Sequence, residues 1–159
     1  MTKPSTLSKE RSPAVSPRYK DDFYSWALHQ SHLLLEGRIA EADCANIAEE
    51  LADLGRSERR SLRSALARVI QHLLKWDFQP SKRTAEWQNS IYIHRVHASQ
   101  DLSENPGLKS ELDAIVREAY KLAIGYAAKD TGLPRDAFPA SCPYTFEAVM
   151  TREVETDRE

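Results

Sequence analysis

The chain has 159 residues, of which 41% are hydrophobic and 29% charged, and its formal net charge is −2. That is enough apolar material for one domain with a single core, and the charge argues neither for nor against nucleic acid. No run approaches the roughly 18 apolar residues needed to cross a bilayer, which argues against an integral membrane protein.

The first 18 residues, MTKPSTLSKERSPAVSPR, are rich in Ser, Pro, Thr and Lys and hold no apolar segment of signal-peptide type. A disordered tail over 1–18 is expected, then one helical domain over 19–151, then a frayed, charged tail over 152–159. Cys44 and Cys142 belong to no CxxC, so the expectation is two buried or half-buried thiols in a reducing cytoplasm.

Helical periodicity dominates between the tails, and no segment alternates long enough for a strand. The first helix is expected from about Lys20 to Glu36, with Phe23, Trp26, Gln30, Leu33 and Leu34 on one side and Gly37 as terminator. Asp43 can cap a second helix that reaches about Phe78, where Gln79-Pro80 stops it. Its apolar stripe reads Ile47, Leu51, Leu54, Glu58, Leu62, Ala65, Val69, Leu73, Trp76. Gly55 falls inside that stripe and marks either a close helix crossing or a break, and the continuous helix is the preferred reading.

Ser81 or Thr84 opens a third helix with the stripe Trp87, Ile91, His94, Ala98, Leu102. Asn105-Pro106-Gly107 is a turn placed to start the fourth, which carries Leu108, Leu112, Ile115, Ala119, Leu122 and Tyr126 and ends at Thr131-Gly132. A proline-punctuated arm, LPRDAFPASCPYT, then leads into a short helix over about 146–151. Long helices with short connections pack antiparallel, so the fold class is all-α, an up-and-down bundle of four main helices.

Three groups of side chains are candidates for chemistry. Arg56, Arg59, Arg60 and Arg63 form a ridge beside the stripe of the second helix. Residues 55–83 hold eight Lys or Arg against two acids, while 36–54 hold six acids against one arginine. Phosphate neutralisation could use such a ridge, but no recognition-helix or zinc-finger pattern accompanies it. A solvated or internally paired face is the preferred reading.

Glu58 stands mid-stripe, where a lone carboxylate costs several kcal/mol unless paired. With His72, Glu49 and Glu50 it defines a candidate interior polar site. Finally, His29-x2-His32-x3-Glu36 and His94-x2-His97-x3-Asp101 repeat one spacing. Positions i, i+3 and i+7 of a helix share a side, so each set could offer two imidazoles and a carboxylate to a divalent ion. The spacing is common by chance, and exposed or core histidines are the plainer reading. No nucleophile elbow, glycine-rich phosphate loop or cofactor motif is present, so neither a catalytic residue nor a cofactor is assigned.

The order of YKDDFYSWA, IAEELADLGRSERRSLRSAL, HLLKWDFQP, a Trp-x3-Ile helix, SENPGL and FPASCPYTFE resembles the bacterial "domain of unknown function 29" family over about residues 19–150. The resemblance implies an all-helical fold and no established activity. Its pattern covers Tyr19, Asp22, Trp26, Glu49, Glu50, Gly55, Arg56, Ser57, Glu58, His72, Lys75, Trp76 and Pro143. His29, His32 and His94 depart from it, since Glu or Gln is more usual there. The preferred functional reading is a non-enzymatic cytoplasmic protein–protein module, a homodimer joined by the long apolar seam from Ile47 to Trp76. A ligand-binding or enzymatic bundle around Glu58 and His72, and a nucleic-acid-associated regulator using Arg56–Arg63, stand as alternatives.

Overall fold

A computed structural model describes residues 16–155. The tails expected at 1–18 and 152–159 lie outside the described residues except for 16–18 and 152–155. The described chain is all-helical, with four long helices, α1 (Phe23–Leu35), α2 (Cys44–Phe78), α3 (Ala85–Glu104) and α4 (Leu112–Thr131), and a short α5 (Phe146–Thr151). No strand occurs among the described residues. Two compact units divide the chain, one ending at Ala52 and the other beginning at Asp53.

In the first unit, α1 begins at Phe23 rather than near Lys20 because Asp22 takes the cap position, its carboxylate accepting from Ser25 N at 3.0 Å. The other end closes as a Schellman turn: Arg38 N donates to Leu33 O at 2.9 Å and Gly37 N to Leu34 O at 3.1 Å. Gly37 sits at φ +72°, the left-handed conformation that this turn requires. Trp26, Gln30 and Leu33 are buried, but Phe23 and Leu34 of the expected stripe are exposed. The buried Gln30 amide is satisfied by the Asp43 backbone N–H at 2.8 Å. Asp43 caps α2 as expected, its carboxylate accepting from Asn46 N at 3.3 Å and from Asn46 Nδ2 at 2.7 Å.

The helix α2 is uninterrupted through Gly55, and a Cβ added there would meet nothing within 4 Å. Among the described residues Gly55 therefore marks neither a break nor a close crossing. From Leu51 to Glu58 every residue of α2 is exposed, so the expected continuous seam starts only at Leu62.

In the second unit the register of three helices follows from their contacts. Glu58 meets Asn105 and Lys75 meets Trp87, so α2 and α3 run antiparallel. Arg59 meets Glu118 and Gln71 meets Asp130, so α2 and α4 run parallel. The result is an up-down-up bundle whose core is Leu62, Leu66, Val69, Ile70, Leu73, Leu74 and Trp76 against Ile91, Ala98, Ile115, Ala119 and Ala123. Leu62, Leu66, Ile70, Leu73 and Leu74 are 0% exposed, and burying each stabilises the fold by roughly 1.5–3 kcal/mol.

Thr84 caps α3 through Trp87 N at 3.3 Å. The chain over Pro106–Glu111, expected to open the fourth helix, is a tighter 3₁₀ turn, so α4 starts at Leu112. Its buried face is Ile115, Val116, Ala119, Tyr120, Ala123 and Ala127. Leu122 and Tyr126 lie rotated towards its edge, because the proline arm covers the Tyr120 side. There Tyr120 Oη donates to Pro139 O at 2.6 Å, and Phe138 stacks edge-to-face on Phe78 at 5.1 Å.

Past α5 the chain stays attached. Arg95 donates to Val149 O and Arg152 O, both at 2.8 Å. Gln88 donates to Val154 O at 2.7 Å, and Val154 is buried.

Candidate functional site

Glu58 is not an interior acid. It is exposed, and its Oε2 accepts from Asn105 Nδ2 at 3.1 Å. The stripe that suggested burial lacks a covering neighbour at that height, so solvation and one amide bond satisfy the carboxylate. His72 lies 14 positions further along the same helix, about 21 Å at 1.5 Å per residue, so the two do not share a site. His72 is half-buried and its Nδ1 makes no hydrogen bond among the described residues. Burial, then the neighbouring Lys75, depress its pKa to about 4, which keeps the imidazole neutral. Glu49 is exposed, while Glu50 accepts a hydrogen bond from the Tyr19 hydroxyl in the first unit.

The arginine ridge is largely engaged internally. Arg56 donates to Asp53 at 2.9 Å. Arg59 spans Glu111 at 2.7 Å and Glu118 at 2.8 Å, and Arg63 lies 3.6 Å from Glu118. These hydrogen bonds from Arg59 hold the Glu118 carboxyl down to about 2. Arg60 has no ion pair among the described residues. Only Asp53 comes from the neighbouring acidic stretch; the other partners belong to the turn before α4 and to α4 itself.

The structure does not gather either histidine set into a ligand cluster: no group of three His, Cys, Asp or Glu side chains converges among the described residues. In the first set His29 is half-buried, His32 exposed, and Glu36 pairs with Arg38 at 2.8 Å. In the second, the His94 and His97 rings meet edge-to-face at 5.7 Å, while Asp101 stands one turn on. Cys142 is half-buried, with its thiol 3.4 Å from Tyr144 O. Cys44 is exposed, contrary to expectation, because it opens α2 on the solvent side.

Three features escaped the sequence reading. The first is the outer face of α1. FYSWALHQSHLLL holds no Asp, Glu, Lys or Arg over 13 residues. Tyr24, Leu28 and Leu35, at 74%, 51% and 83% exposure, lie opposite the buried Trp26, Gln30 and Leu33. The absence of Asp, Glu, Lys and Arg from the whole helix is the one trace that this face leaves in the sequence.

The second is a polar groove of about 480 Å³ in the second unit, lined by Ser61, Ser64 and Arg68 of α2, His94 and Asp101 of α3, and Tyr126 of α4. The third is an ion-pair cluster at Asp77, which accepts from Tyr144 Oη and from Arg152 Nη1, both at 2.7 Å. Burial pushes the Asp77 carboxyl up, but these bonds outweigh it and leave the pKa below its ordinary value. Its partners are 67 and 75 positions away, so periodicity carries no trace of it.

The family model described as Domain of unknown function DUF29 matches residues 18–154. The chain belongs to this DUF29 family. The match takes in both units of this DUF29 chain, from the segment bearing Tyr19 to the buried Val154. No curated protein and no solved structure matches it. No helix among the described residues of this DUF29 protein is long and apolar enough to cross a membrane.

Proposed function

We propose that the chain is an interaction module rather than an enzyme, and that its first partner is a second copy of itself, met through the outer face of α1. The observation that carries the reading is an uncharged helix with apolar side chains on both faces, one of them open. Helices apolar all round are normally enclosed, and a contiguous exposed apolar patch marks a place of contact. A two-fold interface needs a surface complementary to itself. A stripe of Tyr24, Leu28 and Leu35 meets that need, since two such stripes bring no like charges together. At about 20 Å long, α1 alone falls short of the roughly 800 Å² per partner of a stable pair. Ile39 and Leu51 of the same unit, 52% and 63% exposed, are therefore assigned to the surface. The two free thiols fit a reducing cytoplasm.

Sedimentation velocity of the intact chain and of the Leu28→Glu/Leu35→Glu variant tests the reading. The unmodified chain is expected to sediment as a pair at micromolar concentration, and the variant as a folded monomer. A pair that survives both glutamates places the interface elsewhere and overturns the assignment of α1.

A further inference from the structure

We propose that the groove between α2, α3 and α4 binds a small organic molecule with an anionic head, phosphate or carboxylate, and a hydrogen-bond-donating tail. This site is independent of the pairing of α1.

The head end is built around Arg68. Its guanidinium lies 4.2 Å over the Tyr126 ring. Its Nη1 donates to Gln71 Oε1 at 3.0 Å, and Gln71 is itself held by Asp130 at 2.7 Å. No carboxylate forms an ion pair with Arg68 among the described residues. The fork is thus fixed in plane yet lacks a counter-ion, which is the arrangement that receives a planar or tetrahedral oxyanion in two parallel bonds. His94 stands close by: burial, His97 and Arg68 all lower its pKa. Its ring therefore favours the neutral form. The Ser61 and Ser64 hydroxyls line the same wall and form no hydrogen bond among the described residues.

The tail end is set by Asp101. Its Oδ2 is shielded from solvent and accepts no hydrogen bond among the described residues. A buried acceptor left in that state costs about 1–3 kcal/mol, which a turn of the carboxylate towards a donor on a ligand would remove. The antiparallel register of α2 and α3 sets Ser61 opposite Asp101 and Arg68 opposite His94. Seven residues of α2 separate the two ends, about 10 Å. The groove's volume of about 480 Å³ falls in the range of small-molecule sites, roughly 300–1,000 Å³. A single unpaired guanidinium suits one anionic group, not a nucleic-acid backbone.

The test is a titration followed by the ring protons of His94 and His97 in NMR spectra, with inorganic phosphate, glycerol 3-phosphate and glycerate as probes. Saturable shifts are expected, with one of the two three-carbon probes binding more tightly than inorganic phosphate; which one it is names the head. Arg68→Gln should weaken that probe about tenfold or more, the loss of a charge-assisted pair. Arg117→Gln, which removes an exposed charge elsewhere on α4, should change nothing. Asp101→Asn should weaken the tailed probe and leave inorganic phosphate as tight or tighter. If Arg68→Gln does not fold, Arg68→Lys keeps the charge but loses the fork, and should also weaken binding. Shifts that never saturate, or equal losses in Arg68→Gln and Arg117→Gln, would overturn the site.

Discussion

The two halves of α2 carry the same period and meet opposite fates. Leu51 and Leu54 are each 63% exposed, whereas Leu62 and Leu66, two to four turns further along, are 0% exposed. Helical spacing determines which side chains share a face, but not whether anything stands opposite that face. Beyond Leu62, α3 and α4 supply the opposing surface. Around Gly55 nothing among the described residues lies near enough for an added Cβ to touch. An apolar stripe is therefore a request for a neighbour, and in this molecule the request is met from within only along the second part of the helix.

That contrast can be broken first with two truncations of one kind. Leu66→Ala should lower unfolding free energy by about 3 kcal/mol, as for a fully enclosed leucine. Leu54→Ala should change it by less than about 0.5 kcal/mol at dilutions where the chain is monomeric. Urea unfolding measures both, and similar costs would erase the distinction between the halves.

The buried half also carries a pH signature. The folded pKa of His72 is about 4, below the ordinary 6.5, so the unfolded chain takes up the proton first. Stability should be level above about pH 7 and fall between about pH 6.5 and 4, by up to about 3 kcal/mol. His94, also lowered mainly by burial, adds to the same slope. Thermal melts of His72→Gln should show the slope reduced between pH 6.5 and 5, above the range where Glu118 and Asp77 protonate.

Asp77→Asn removes the charge that Arg152 and Tyr144 share, and should cost about 1–2 kcal/mol by the same unfolding assay. In the exposed half one substitution is expected to stabilise. Gly55→Ala should raise stability by about 0.5–1 kcal/mol, because an alanine fits an open helical position better than glycine. A loss instead of a gain would mean that a second surface comes close to Gly55.

Much of the fold was legible in the sequence because its signals are local. Asp43 and Thr84 cap where their short polar side chains precede an apolar run, and Gly37 and Gly132, both at φ +72°, end helices that only a left-handed residue closes. The core positions Leu62, Val69, Leu73, Ile91 and Ala98 followed from spacing alone. What was not legible depends on partners distant in sequence. Glu58 looked interior because its stripe was continuous, yet its surroundings are set by where α3 ends. Of the candidate site, the spacing of His94 and Asp101 suggests an ion but says nothing of Arg68, Ser61 and Tyr126 across the groove. The outer stripe of α1 was hidden by its own apolarity, since one buried face seemed enough to explain its leucines.

The account rests most on the claim that the open apolar face of α1 is covered by a second copy. Static light scattering of the unmodified chain across a dilution series addresses it directly. The account predicts a mass near twice 18.1 kDa at micromolar concentration, falling towards 18.1 kDa on dilution. A mass that stays at 18.1 kDa throughout would contradict it.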